Sequence, residues 1–209
     1  MKKYIQIVLI HIKMNKWYIM IYLMYTYVFL SMLLLDKSMK LWLNESVIYT
    51  YMQQLLIFPS VMLLSLLYNV YVEKNYAELI NSIDNHIKLK YIIGFYLIIV
   101  ILQTPLLLIL TKNYVGIKDY ISIYLLQLFC MISLYYFIVQ FTQSSLAALV
   151  LVICYIVIFA IAYTTQELGN IFLINKFIFD ISKDFYRKLV LYITICIGFA
   201  SMKEKIKLS

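Results

Sequence analysis

Side chains that carry out acid–base, nucleophilic or metal chemistry are scarce in this sequence, and none has the partner that such chemistry needs. The 209 residues include two histidines, His11 and His86, and ten acidic residues. Both histidines lie outside the long apolar stretches, and no acidic residue falls in the middle of one. An intramembrane protease requires a nucleophile with a base, two paired acids or a metal centre. Neither paired carboxylates nor a zinc-ligand spacing occurs, so we expect no catalytic residue and no metal site.

The cysteines and glycines predict no further chemistry. Cys130, Cys154 and Cys196 all fall inside apolar stretches, and their odd number and spacing fit neither a disulfide framework nor a metal site. We interpret them as small apolar packing residues. A phosphate-binding loop needs glycines followed by a lysine, and none of the four glycines begins such a motif. We therefore expect no ATP site in this chain.

Amide side chains are the main polar groups inside the apolar stretches. Some of these amides lie close to Pro59 and Pro105, each of which falls within an apolar stretch. Proline removes a backbone hydrogen-bond donor and often kinks a helix. Such amides either line a path through the membrane or hold neighbouring helices together by hydrogen bonds. The candidates for a translocation path are Gln53, Gln54, Gln103 and Gln127.

The elements that position these residues are predicted to be membrane-spanning helices. Hydrophobic residues make up 65% of the chain and charged residues 13%, whereas a soluble domain has about a quarter charged. Crossing a bilayer takes about 20 apolar residues per helix. We predict an all-α integral membrane protein with one domain over 1–209 and six transmembrane helices. The predicted spans cover 17–35, 47–72, 91–110, 120–141, 146–163 and 187–202.

The net charge of +8 is interpreted as membrane topology and not as a nucleic-acid surface. An even number of spans places both termini on one side, and the positive-inside rule makes that side cytoplasmic. The loop before the last span is also basic, and this topology places it outside, against the rule. Acidic residues in the loop partly offset its positive charge. The lysines at the two termini are Lys2, Lys3, Lys13, Lys16, Lys203, Lys205 and Lys207.

Two segments outside the spans are predicted to lie at the membrane surface. In 2–16, lysines share one helical face and apolar residues the other, as in an N-terminal interfacial helix; the alternative is an early start of the first span. The segment 164–188 holds apolar runs too short to cross a bilayer. It is predicted to be re-entrant or interfacial before span six, with an amphipathic loop as the alternative.

The segment between spans two and three, 71–90, has the pattern of an amphipathic helix. Apolar residues recur at spacings of three and four from Leu79 to Ile87, and Glu78, Ser82 and their polar neighbours occupy the other face. On the cytoplasmic side, such a helix suits docking of a soluble partner. Packing against its own bundle is the alternative.

This order of elements resembles the permease subunit of a type-2 ABC exporter over essentially the whole chain. These permeases typically carry an acidic residue after span two, then a Glu-x-Leu-Leu-like run, Ser/Thr-Pro and a basic residue. Here Glu73, Glu78-Leu79-Ile80, Ser82 and His86 stand at comparable spacing. The chain lacks the family's usual glycine after Glu73, and Ile83 stands where proline is common.

The resemblance implies a coupling helix that binds a separate ATPase subunit, with ATP and magnesium held by that subunit and none in this chain. It implies a second permease chain, forming a homodimer or a heterodimer, in a bacterial cell membrane. The exported substrate would be hydrophobic or amphipathic, such as an antimicrobial or toxin peptide. The coupling residues that it implies are Glu73, Glu78, Leu79, Ser82 and His86.

Other classes of membrane protein remain open alternatives. Proton-coupled carriers place charged residues inside the membrane, and their absence from mid-span here argues against this class. A substrate-binding membrane subunit of a vitamin importer also has six spans at this size, but it would not need an acidic docking helix. A small immunity membrane protein would act without an ATPase.

Overall fold

The structure, a computed structural model, describes residues 13–38, 45–72, 88–114, 116–162 and 183–208. Three predicted features lie mostly outside the described residues: the interfacial helix, residues 73–87 of the predicted coupling segment 71–90, and the re-entrant segment. The described chain is helical apart from short turns. Its α-helices are α1 (Lys16–Ser38), α2 (Glu45–Tyr51), α3 (Ile57–Tyr68), α4 (Leu89–Asn113), α5 (Ile117–Thr142), α6 (Ser145–Ala162) and α7 (Lys183–Leu208).

Among the described residues, three helical stretches are long and apolar enough to cross a membrane: Leu89–Asn113, Ile117–Thr142 and Phe185–Glu204. The apolar helices Ile57–Tyr68 and Ser145–Ile158 are shorter. These helices are consistent with a helical membrane protein. Each of the six predicted spans overlaps a described helix, although the number that cross the membrane stays a prediction.

The helix bounds differ from the predicted span bounds mainly at the last span. Helix α7 begins at Lys183, so Arg187 and Lys188, the first two residues of predicted span six, belong to its first two turns. Span two is one continuous helical run. A π-helical turn, Met52–Leu56, joins α2 to α3, and a 3₁₀ turn, Asn69–Tyr71, ends the run.

Helix α5 is the centre of the bundle. It packs against α7, α6, α4, α3 and α2, and it is the most buried of the three long apolar helices. Helix α3 packs against α6 and α4 on another side, and α1 lies on α3 and α4. Leu97, Ile101 and Leu108 of α4 are more than half exposed, as expected for side chains that face lipid.

Hydrogen bonds at the two ends of α5 fix the direction of its neighbours. Tyr186, near the start of α7, lies 2.8 Å from Ser122 near the start of α5. Near the other end, Tyr136 donates to Glu204 of α7, whose second oxygen accepts from the backbone N–H of Lys88 at the start of α4. Helices α5 and α7 are therefore parallel, and α4 runs antiparallel to both. We call this second end of the bundle the Glu204 end.

The α5–α6 turn also lies at the Glu204 end. Gln143 there has φ of 55°, the left-handed conformation that often ends helices, and its N–H donates to the Val139 carbonyl at 2.8 Å. Ser144 then caps α6, because its hydroxyl accepts from the N–H of Ala147 at 3.2 Å. A residue that ends α5 followed directly by a residue that starts α6 explains how the chain reverses direction with so short a connection.

Candidate functional site: polar clusters inside the bundle

The π-helical turn that precedes Pro59 determines where the first glutamine lies. Proline has no N–H to donate four residues back, and its ring crowds the carbonyl at that position, here Leu55. The helix widens over Met52–Leu56, next to this position. A π turn inserts an extra residue into a helix and often occurs at functional sites. Gln53 lies within it and is almost fully buried.

Gln53 belongs to a buried cluster that joins span two to α5. The Gln127 side-chain oxygen accepts two hydrogen bonds, from the Gln53 amide at 2.8 Å and from the Tyr49 hydroxyl at 2.9 Å. The Tyr49 ring also lies against Tyr120, with 5.1 Å between ring centroids. We call Tyr49, Gln53 and Gln127 the Gln127 network. It ties α2 and the π turn to the central helix.

A second cluster, the Gln103 network, joins four helices. The Gln103 amide nitrogen donates to the hydroxyls of Tyr22 (2.6 Å) and Ser60 (3.0 Å), and its oxygen accepts from Tyr124 at 2.9 Å. Ser60 donates its only hydroxyl hydrogen to the Leu56 carbonyl at 2.5 Å. The Tyr22 hydroxyl, 3.0 Å from Ser60, must therefore be the donor of that pair.

Every donor and acceptor of the Gln103 side chain thus has a partner within the protein. The four members come from α1, α3, α4 and α5, and all are buried. In a medium without water, an amide or hydroxyl that loses its partner is costly. The network therefore holds these helices together in the described conformation.

The Glu204 cluster at the Glu204 end consists of Tyr71, Lys88, Tyr136 and Glu204. The Glu204 carboxylate accepts from the Tyr136 hydroxyl at 2.6 Å and from the Lys88 N–H at 2.8 Å. The Lys88 ammonium donates to the Tyr71 carbonyl at 2.8 Å. Tyr71 and Lys88 stand just before and just after the predicted coupling segment 73–87, so the base of that segment is bound to α5 and α7.

The structure describes the side chains of three predicted site residues, Gln53, Gln103 and Gln127, and not those of the others. Gln103 and Gln127 are fully buried, and each forms part of a network that includes one or more tyrosines. Gln53 and Gln127 belong to the Gln127 network, and Gln103 is the centre of the Gln103 network. Whether they line a path stays a prediction. Nothing is described of the Gln54 side chain, and Glu73, Glu78, Leu79, Ser82 and His86 lie outside the described residues.

Tyrosines are prominent among the buried side chains of the described helices. Seven of the 21 are fully buried, because their hydroxyls or ring faces find partners inside the bundle. Tyr71 stacks between Tyr68 and Tyr91, with centroid distances of 5.5 and 4.5 Å. The seven are Tyr49, Tyr68, Tyr71, Tyr91, Tyr124, Tyr135 and Tyr136.

Glu204 and the tyrosine partners of the glutamines were not singled out from the sequence. Glu204 stands among three lysines at the end of the chain and looks like part of a solvated basic tail. One signal was available: with 3.6 residues per turn, Glu204 extends the buried face of Leu189, Ile193, Cys196 and Ala200 by one more turn.

The clusters contain amides, phenols, one serine hydroxyl, one ammonium group and one carboxylate, which suit hydrogen bonding between helices better than bond-breaking chemistry. Among the residues that the structure describes, no group of three or more His, Cys, Asp or Glu side chains is placed to hold a metal ion. Comparison of the chain with protein-family models, curated proteins and solved structures gives no match.

Proposed function

We propose that this chain is the transmembrane permease subunit of an ATP-driven exporter of the type-2 ABC class, energised by a separate ATPase subunit. The observation that carries the proposal is the anchoring of segment 73–87. Its two flanks are joined by the bond from Lys88 to Tyr71, and Glu204 fastens the Lys88 backbone to α7. A soluble motor that moved this segment would pull directly on α3, α4 and α7.

The near absence of buried charge in the bundle supports an energy source that lies outside this chain. Glu204 is the only charged residue among those that the structure shows as buried, and it lies at one end of the bundle. Proton- and ion-coupled carriers place ionisable side chains along their route through the membrane. The sequence also lacks a phosphate-binding loop. ATP hydrolysis by another chain fits both features.

The composition of the bundle interior also favours a hydrophobic or amphipathic substrate. The walls between the helices are built from aromatic and aliphatic side chains, with polarity supplied by amides and phenols. A hydrophobic or amphipathic molecule, such as an antimicrobial or toxin peptide, matches such walls better than a sugar phosphate does. In the described conformation the amides are hydrogen-bonded within the two glutamine networks, so transport would require those networks to open.

The experiment that tests the proposal is affinity purification of the tagged full chain from its native membrane. We expect an ATPase subunit to be recovered with it and to be lost in Glu78→Lys, while membrane insertion remains intact. Glu167→Lys, on the loop predicted to face the other side, is the matched control and should leave the ATPase bound. Transport by the purified chain without nucleotide would contradict the proposal.

A further inference from the structure

Helix α7 has the shortest charge-free run of the three described stretches that are long and apolar enough to cross a membrane. Only 14 residues, Leu189–Met202, separate Lys188 from Lys203. At about 1.5 Å per residue this run extends about 21 Å, whereas the hydrocarbon core of a bilayer is about 30 Å thick. The charge-free run of α4, Tyr91–Thr111, has 21 residues and extends about 32 Å. An ordinary bilayer therefore fits α4 but is too thick for α7 by roughly 9 Å.

A hydrogen-bonded pair between α5 and α7 shows how deep the charged start of α7 lies. The hydroxyls of Ser122 and Tyr186 are 2.8 Å apart, and the pair is exposed. On α5, the last charged residue before Ser122 is Asp119, which is exposed and lies three positions nearer the end of the bundle. Arg187 and Lys188 follow Tyr186, and α7 is parallel to α5. These two cations are therefore roughly 7 Å deeper than the last charge of α5.

The charges at the two ends of the α7 run have different surroundings. At the Glu204 end, the Lys203 ammonium lies 3.8 Å from the centroid of the Phe141 ring, which is five positions nearer the end of α5 than Tyr136. The Lys203 side chain therefore extends towards the headgroup layer, as lysines at the ends of short spans do. At the other end, Arg187 and Lys188 are exposed on the outer surface of the bundle. A charged side chain is costly in hydrocarbon, so polar lipid groups are needed there.

The exposed polar groups at the start of α7 suit the phosphate of a phospholipid. We call Ser122, Tyr186, Arg187 and Lys188 the Arg187 patch. A guanidinium group has five N–H donors and binds phosphate through two of them, so a contact within the protein still leaves donors for a lipid. The Lys188 ammonium adds a second positive charge next to it. A bilayer commonly responds to a short span by becoming thinner, and this brings phosphates to the level of the patch.

We propose that the Arg187 patch binds headgroup phosphates of phospholipids below the level of the surrounding headgroups, so that the bilayer beside the start of α7 is locally thinned. The attraction between the two cations and the phosphates offsets the cost of thinning. This inference depends on α7 crossing the membrane and not on the proposed transport activity or on an ATPase.

The test compares the membrane depth of two fluorescent labels on the full chain in dioleoylphosphatidylcholine vesicles. The labels are attached through Leu191→Cys or Leu108→Cys after the three native cysteines are replaced. The two positions are matched, because both face outwards, at 59% and 58% exposure, and each lies within four residues of the charge that ends its run. Phospholipids with a nitroxide quencher on the headgroup or on the acyl chain report the depth of each label.

We expect both labels to lie at the same depth below the headgroups nearest to them. If the headgroups stay at the level of the α4–α5 turn, the label at 191 will be roughly 7 Å deeper than the label at 108, and this result overturns the proposal. A label at 191 that neither quencher reaches also overturns it, because another protein surface then covers the start of α7.

A charge-removing variant tests the role of the two cations. Arg187→Leu together with Lys188→Leu lengthens the charge-free run by four residues, so the label at 191 should move about 6 Å deeper while the label at 108 stays in place. Lys118→Leu is the matched control, because it removes an exposed charge from the start of α5, and it should move neither label. An unchanged depth at 191 in the double variant contradicts the proposal. If the double variant does not fold, the comparison of the two labels in the parent chain still decides.

Discussion

Two of the buried glutamines of this bundle, Gln103 and Gln127, are hydrogen-bonded to tyrosine hydroxyls. Gln103 makes three hydrogen bonds through both ends of its amide, and Gln127 accepts two through one oxygen. Hydrogen bonds between membrane helices contribute modestly one at a time, averaging about 0.6 kcal/mol. A network in which every donor and acceptor is paired is more sensitive to substitution, because removing one member leaves several buried groups without partners.

The first prediction concerns Gln103→Leu. Leucine fills a similar volume but leaves the Tyr124 hydroxyl without its acceptor and removes two donors. We expect the free energy of unfolding in detergent to fall by about 2 kcal/mol, and Tm by roughly 4–8 °C for a chain of this size. Thr104→Val is the matched control, since Thr104 is exposed and bonds only to the Val100 carbonyl of its own helix. Equal losses in both variants would contradict the network.

The sequence indicated the glutamines but not their partners. An amide in an apolar stretch is conspicuous, whereas a tyrosine is equally at home at the interface or inside. Which of the 21 tyrosines turns inward depends on how the helices are rotated, and that is decided by packing between distant segments. Tyr49 and Gln127 are separated by 78 positions in the sequence. No local pattern encodes that contact.

At the scale of single elements, Pro59 and Pro105 behave differently although both lie in apolar helices. A π turn lies just before Pro59, whereas α4 continues as an α-helix through Pro105. The two positions differ in surroundings: Pro105 is exposed, and Pro59 is followed by Ser60, which is buried in the Gln103 network. Proline alone therefore predicts an irregularity but not its form.

The second prediction follows from this difference. Pro59→Ala restores an N–H and relieves the crowding at Leu55, so we expect the π turn to tighten towards an α-helix. Losing one residue of a turn rotates the preceding helix by about 100°, which takes Gln53 and Tyr49 away from Gln127. The unfolding free energy should fall by about 1 kcal/mol. Differential scanning fluorimetry in detergent measures this change.

Pro105→Ala provides the comparison for that experiment. It also restores an N–H, but in a regular helix and on an exposed face, so Tm should stay the same or rise. If the two alanine variants shift Tm alike, the π turn has no role in placing Gln53.

At the scale of the whole molecule, the helix directions place different turns at opposite ends of the bundle. The α5–α6 turn and the start of α4 share the Glu204 end, and the α4–α5 turn lies at the other end. The predicted topology puts the α4–α5 turn outside and the coupling segment inside, and this assignment stays a prediction. Which end faces the cytoplasm follows only from the terminal lysines and stays a prediction.

The third prediction tests this orientation in cells. Single cysteines replace Lys112 and Gln143, both exposed and at opposite ends, in a chain whose native cysteines have been removed. A membrane-impermeant maleimide should label position 112 in intact cells and position 143 only after permeabilisation. The reverse pattern would place segment 73–87 outside, where no ATPase could reach it.

The most direct test of the proposed function is photo-cross-linking from Asp84, in the middle of segment 73–87, with the full chain in its native membrane. We predict a cross-linked product between this chain and a polypeptide that binds and hydrolyses ATP. Cross-links only to lipid, or only to proteins without a nucleotide site, would contradict the claim that a separate ATPase subunit binds the chain through this segment.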